Sequence, residues 1–446
     1  MLHPVTGAKD AVLTAIRNAA AAFTSNNSVV QEKMAGAFAD PGEREQARQK
    51  IAAQLNQAAA SSSQEPGDAA WFLPRDAGTG LVQSAMNARL QSGPAPAVAA
   101  GGGGGAVAVP ALAEAPLQQF GPLDPDWIEC VVDGFRTFVD GKAKFVQHQA
   151  LSDFLTTIPD QTTIAIVGDW GADNDAARHV AAEIAAANPA MVIHLGDIYY
   201  AGQENEAEDM LKLWPLGGST DSIRPGTSFS LNGNHEMYSG GKAYFETVLP
   251  KFGQKASYFG LRNNFWQILA FDSAYIEQRL LSPADAAPID SRLASQWNWL
   301  VDKMKNSALA TILLSHHQPI SAFADENDAA SNLRGDFQKF IAAAGRPIFG
   351  WFFGHEHRCT IYDDPNVPYF ARLLGHGSIP HAPPPANQQP DPGCASFSRM
   401  NTRALPNGDA VSGFALLSFD RALIDIEYID EDGSVFFSET WQAPAP

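Results

Sequence analysis

The chain has 446 residues, 45% hydrophobic and 18% charged, enough for one large core or two ordinary ones. With 30 Lys and Arg against 49 Asp and Glu, the net charge of −19 argues against a nucleic-acid partner, because phosphate backbones are held by clustered cations. The imbalance is −5 over residues 1–160 and −14 over residues 161–446, so an anionic ligand bound in the second part needs cations from elsewhere; bound metal is the usual supply.

The first part, residues 1–160, is rich in alanine and reads as mostly helical. Asp40 followed by Pro41 is an N-cap and first-turn proline, opening a helix to about Ala60. The uncharged run Leu90–Leu112 holds Pro94, Pro96, Pro110 and the consecutive glycines Gly101–Gly105, so it reads as a linker near 92–118 and not as a membrane helix. Lys9, Asp10 and Arg17 interrupt the N-terminal alanines and leave no unbroken apolar core of a signal peptide, so the expected location is cytoplasmic. Trp127, Val131, Phe135, Phe138 and Phe145 recur at helical spacing and predict a helix over Asp124–Leu155. Packing or partner binding is the default role of this part. Cys130, Cys359 and Cys394 lack ligand spacing and read as free thiols.

From Thr162 the texture changes. Apolar runs at Thr163–Val167, Ala190–Leu195, Thr227–Leu231, Phe265–Phe271, Thr311–Leu314 and Ile348–Phe353 predict strands. Helices are expected at Ala176–Asn188, Lys242–Leu249 and Ser291–Met304, which makes residues 161–446 a layered α/β domain. Val411–Trp441 reads as successive strands, with turns at Asn407-Gly408 and Asp432-Gly433.

Five of the apolar runs end in residues able to bind metal: Gly168-Asp169-Trp170-Gly171, Gly196-Asp197-Ile198-Tyr199-Tyr200, Gly233-Asn234-His235-Glu236, Ser315-His316-His317 and Gly354-His355-Glu356-His357. Strand ends in an α/β sheet fix side chains around one crevice, and carboxylates, an amide, imidazoles and a phenol suit metals such as Fe, Mn or Zn. This order of motifs resembles the metallophosphoesterase superfamily, and within it the purple acid phosphatases. Most metallophosphoesterases carry Asp-x-His in the first motif; here Gly171 stands in place of that His, and Tyr200, three residues after Asp197, is suited to replace the lost ligand. Gln296-Trp297-Asn298-Trp299-Leu300 is similar to the family's Gln-x-x-Trp-Leu helix, and Ser257–Ser273 to its paired strands.

The resemblance implies a four-layer α/β/β/α sandwich and a dinuclear metal centre, ferric iron with a second Fe, Zn or Mn. Asp169, Tyr200 and His357 would hold the first metal, Asn234, His316 and His355 the second, with Asp197 bridging. A metal-bridging hydroxide would attack a phosphomonoester, and His235 would meet the phosphate or protonate the leaving oxygen. The fourth motif departs from the mammalian-type Gly-His-Tyr-Pro, so either His316 or His317 fits as ligand; matching the first histidine favours His316 and leaves His317 to touch substrate. A further family histidine has no counterpart, and Asp325-Glu326 in that region disfavours a dianionic ester. A phosphodiesterase using the same site, and a partner-binding or regulatory protein with a helical interaction region, are the alternatives. The expected partner is a small phosphate ester, with neither nucleic acid nor membrane. Tyr199 reads as packing, His194 as a core residue and His179 as a helix residue facing solvent or the sheet. His376 and His381 fit either a pocket wall or a loop.

Overall fold

The computed structural model describes residues 141–216, 223–276, 278–381 and 383–444, together with Pro41, Gly42, Glu45, Arg48 and Gln49. The chain divides into two compact units at Gly141/Lys142. In the first, Pro41, Gly42, Glu45, Arg48 and Gln49 are helical and Arg48 pairs with Glu45 at 3.1 Å, in keeping with the expected Pro41 helix. The predicted linker, the proposed N-terminal reading and Cys130 lie outside the described residues.

The second unit is built on two mixed sheets. One has the order β14-β13-β12-β2-β3-β4, from β2 (Gln161–Val167), β3 (Met191–His194), β4 (Ser228–Ser230), β12 (Gly413–Asp420), β13 (Leu423–Asp430) and β14 (Val435–Gln442). The other has the order β1-β5-β6-β7-β8-β10-β9-β11, from β1 (Leu155–Thr157), β5 (Phe259–Arg262), β6 (Trp266–Ala270), β7 (Ala310–Ser315), β8 (Gly350–Phe353), β9 (Cys359–Tyr362), β10 (Phe370–Leu374) and β11 (Phe397–Met400). Strands β2, β3 and β4 run parallel, as do β6, β7, β8 and β10.

Alternation along each strand assembles the layers, since successive side chains leave opposite faces. In β2, Ile164 and Ile166 enter a core between the sheets, while Ala165 and Val167 face a second core under helices α1 (Asp175–Ala187) and α2 (Glu204–Leu213). In β7, Ile312 and Leu314 join the central core, and Leu313 enters a third, beneath α4 (Ala294–Lys305) and α6 (Ser331–Ala344). Phe352 against Trp351 and Phe353 divides β8 the same way. Three cores separated by two sheets make the α/β/β/α sandwich. Two shorter helices sit at strand ends, α3 (Asn234–Tyr238) and α5 (Ala324–Ala329). Among the described residues no helix is long and apolar enough to cross a membrane.

The predicted strands and helices from Thr162 onward form. The segment Lys142–Leu155 does not form the expected helix. It runs irregularly into β1, which pairs parallel with β5. Tertiary contacts override its periodicity. Phe145 is fully buried against Tyr258 and Tyr275, Trp299 Nε1 donates to Asp153 O at 2.9 Å, and the His148 amide donates to the Tyr258 hydroxyl at 2.9 Å.

Candidate metal centre

The five motifs lie just past the carboxyl ends of parallel strands from both sheets. Asp169 follows β2, Asp197 follows β3, Asn234 opens α3 beyond β4, His316 follows β7, and His355 and His357 follow β8. Asp169, Asp197 and His355 adopt left-handed backbone, with φ of 57°, 73° and 74°, a conformation non-glycine residues rarely take. Amides hold these turns: His355 N donates to Asp169 Oδ2 at 2.9 Å, and His235 N to Asp197 Oδ1 at 3.0 Å. Glu236 accepts from the Asp197 and Gly233 amides at 3.1 and 3.0 Å, tying the second motif to the third. Glycine is required by contact: a Cβ on Gly354 would stand 2.5 Å from Asp169 Oδ2, and one on Gly233 2.2 Å from Asp197 Oδ1.

Around Asn234, the amide nitrogen donates to the Tyr238 hydroxyl at 2.9 Å, which turns Oδ1 toward the histidines. His316 Nε2 and His355 Nδ1 each lie 2.9 Å from that oxygen. His316 Nδ1 faces the Leu195 carbonyl at 3.2 Å, a pure acceptor, so Nδ1 carries the proton and Nε2 presents a lone pair. That lone pair also faces Asp197 Oδ1 at 3.3 Å. Two imidazole nitrogens and a carboxylate therefore gather around one amide oxygen.

The second cluster repeats the pattern. The Tyr199 hydroxyl lies 2.7 Å from His357 Nε2, 3.1 Å from Asp197 Oδ2 and 3.3 Å from Asp169 Oδ1, three acceptors for one proton. His357 Nε2 is 3.3 Å from Asp169 Oδ1. Burial raises the Asp169 carboxyl, and burial together with the Asp169 charge raises Asp197; burial lowers the His316, His355 and His357 imidazoles. Carboxylate, phenol, amide and imidazole atoms crowded together away from water are a donor set for cations. Ligating atoms of Asp169, Asp197 and His316 fall within 4.8 Å of one another, so the residues present fit metal, and Asp197 belongs to both clusters.

The structure brings Asp169, Asp197, Asn234, His316, His355 and His357 together. The Tyr199 phenol, expected as packing, meets the carboxylates, while Tyr200, expected as a ligand, bonds through its backbone. The Tyr200 amide donates to Glu206 and its carbonyl accepts from His235 Nδ1 at 2.6 Å. Nothing in two adjacent tyrosines tells which one turns inward; the backbone partners decide it. His235 is buried beside the cluster, its Nε2 3.7 Å from Asp197 Oδ2 and its ring against Tyr199 and Tyr238. His317 is fully buried, with its ring centroid 4.5 Å from that of His355.

Of the remaining histidines, His381 stands near His357 with ring centroids 6.4 Å apart, and its Nδ1 donates to Ile379 O. His376 is buried against Gly413, its carbonyl accepting the Gly413 amide at 2.9 Å. His194 lies in the core beside Ser230, and His179 pairs with Glu431 at 3.2 Å. Cys359 and Cys394 are free thiols.

No curated protein matches the chain. Similar solved structures include GAP50, the anchor in the inner membrane complex of Plasmodium, at 13% identity and TM-score 0.48, covering 64% of this chain and 90% of that one. PhoD matches at 11% identity and TM-score 0.42, covering 65% and 70% of the two chains. Yfce, a phosphoesterase from E. coli, matches at 12% identity and TM-score 0.28, covering 62% and 98%. The calcineurin-like phosphoesterase family matches over residues 162–359, the span that carries all five motifs. The chain thus contains a calcineurin-like phosphoesterase domain, of the metallophosphoesterase superfamily, which implies metal-dependent hydrolysis of phosphoesters.

Proposed function

We propose that the domain is a dinuclear metal-dependent phosphatase of the purple acid phosphatase kind, acting on phosphomonoesters. Asp169, Tyr199 and His357 would hold one metal, and Asn234, His316 and His355 the other, with Asp197 shared. The observation that carries this reading is the pair of clusters joined at Asp197, in which buried carboxylate, phenol, amide and imidazole atoms crowd one another. Carboxylate and phenol oxygen in the first cluster suit ferric iron, while imidazoles with an amide oxygen in the second suit Fe, Zn or Mn. When bound, the two metals supply an acidic water for attack on phosphorus and positive charge for the phosphoryl oxygens.

The chain's own groups do the rest. Leu195 O fixes the His316 tautomer, and Tyr238 fixes the Asn234 amide, so both donor atoms are oriented before any metal arrives. His235, held through Nδ1 by the Tyr200 carbonyl, keeps Nε2 beside the shared carboxylate, where the ring in its protonated form would donate to a phosphoryl or leaving-group oxygen.

A phosphodiester is the second reading, supported by the charge of Glu326, which acts on both His355 and His357. A negative charge so near the ligands opposes a dianion more than a monoanion. Hydrolysis of a chromogenic phosphomonoester and of the matching diester, from pH 4 to 9 with iron, manganese and zinc supplied separately, tests the assignment. Monoester preference at acid pH with iron is the expected result; diester preference moves the activity to phosphodiesterase, and silence on both refutes the hydrolase reading.

A further inference from the structure

Between β7 and α6, directly after His316 and His317, the chain runs through Gln318 and Phe323 into α5. Residues 318–330 carry Asp325, Glu326 and Asp328 and no lysine or arginine. Negative charge next to a phosphate site repels the phosphate, so the position of each carboxylate matters. The segment is firmly held. Arg334, from α6, donates to Pro319 O at 3.2 Å, to Asn327 Oδ1 at 2.8 Å and to Asn327 O at 3.2 Å, and the Ala324 amide donates to Asp391 Oδ2 at 2.9 Å.

Only one of the three carboxylates is drawn toward the ligands. Asp325 and Asp328 are exposed, whereas Glu326 is half-buried and its Oε2 accepts from Gln318 Nε2 at 3.3 Å, two residues along the chain from His316. Of the charges acting on His355, that of Glu326 is the strongest, ahead of Asp197, and it reaches His357 as well. Gln318 is fully buried, and its Oε1, at the same end of the side chain, has no hydrogen-bond donor among the described residues. A carboxylate and an amide oxygen side by side are complementary to a positive group bearing N–H, and to no part of a phosphate. Arg358 is committed elsewhere: its Nη1 donates to Glu356 Oε2 at 3.1 Å, and its guanidinium lies 4.1 Å over the Phe323 ring.

We infer that Glu326, set by Gln318, selects phosphoesters whose alcohol carries a primary ammonium group, the ammonium meeting the carboxylate while the phosphoryl group lies at the metal centre. The inference rests on the phosphoesterase reading and adds the class of alcohol to it. It also removes a conflict. A monoester dianion with an ammonium on its alcohol has the net charge of a simple diester, so the negative charge of Glu326 does not by itself turn monoesters away.

Two comparisons on the metal-loaded full chain test it. Phosphoethanolamine and propyl phosphate differ in an ammonium against a methyl, and kcat/KM for the first should exceed that for the second. Glu326→Gln removes the charge and keeps an oxygen for Gln318. It should cut the ratio of the two kcat/KM values about 10-fold, phosphoethanolamine losing and propyl phosphate gaining, with metal content per chain retained. Binding is read separately with phosphonates, which have no ester bond to break. By calorimetry on zinc-loaded protein, aminopropylphosphonate should bind wild type more tightly than butylphosphonate, and Glu326→Gln should erase that advantage. A ratio that Glu326→Gln leaves unchanged overturns the inference. So does an equal loss on both esters accompanied by loss of metal, which would show that Glu326 serves the metal centre and not the alcohol. If propyl phosphate is hydrolysed as well as phosphoethanolamine, the inference fails while the phosphoesterase reading stands. If neither ester is hydrolysed and neither phosphonate binds, that reading fails and takes the inference with it.

Discussion

Tyr199→Phe removes one oxygen and leaves the ring, so it isolates what the phenol does. The residue is 2% exposed, and its hydroxyl touches three acceptors at 2.7, 3.1 and 3.3 Å. Without metal, the loss is a buried hydrogen bond to a charged or strongly polar partner, about 1.5–3 kcal/mol. With metal, the loss is a ligand, and affinity at the Asp169–His357 position should fall by on the order of 100-fold, about 2.7 kcal/mol. Competition against a chromophoric chelator measures the affinity, and visible absorption of iron-loaded protein reports phenolate bound to ferric iron. Tyr199→Phe should abolish the band and cost activity; Tyr200→Phe should keep both. If Tyr200→Phe loses the colour while Tyr199→Phe retains it, the assignment of the inward phenol is wrong.

Two further substitutions probe the frame around the centre. Gly354→Ala places a methyl 2.5 Å from Asp169 Oδ2, so metal affinity measured by calorimetry should fall by at least about 10-fold, with about 1–3 kcal/mol lost in metal-free stability; unchanged affinity would show that the turn yields. Away from the site, Arg372 is buried and holds Glu439 through two hydrogen bonds of 2.6 Å. Burial alone raises the Glu439 carboxyl, but the hydrogen bonds and charge of Arg372 outweigh it and leave it below its ordinary 4.5. A lowered carboxyl contributes stability above the unfolded-state value near 4.5, and that contribution is lost as pH falls through the folded-state value. Glu439→Gln should therefore cost about 3 kcal/mol at pH 7 in denaturant melts with chelator present, with the gap to wild type narrowing toward pH 3; a gap that is constant with pH contradicts the pairing.

How far the sequence carries depends on what sets each feature. The strands were legible because Ile and Val runs bounded by Gly-Asp, Gly-Asn and Gly-His both pair into sheets and turn sharply at their ends. The six charged, amide or imidazole residues of the clusters were legible because each follows such a run directly. Tyr199 was not, since which of two neighbouring phenols enters depends on backbone hydrogen bonds to Glu206 and His235, residues outside the tyrosine pair. The segment Lys142–Leu155 misled for a related reason: Phe145 has helical spacing from the residues before it, yet its burial comes from Tyr258 and Tyr275, more than a hundred residues on.

The central claim is that two metals share Asp197 and that hydrolysis needs both. Metal-free protein should be titrated with zinc, or with iron and zinc in sequence, while hydrolysis of a chromogenic phosphomonoester and bound metal per chain are followed together. The account predicts no turnover without metal, a rise that saturates at two metals per chain, and a folded but inactive Asp197→Ala that fails to bind the second. Full activity at one metal, or an Asp197→Ala variant that turns over like wild type, would contradict it.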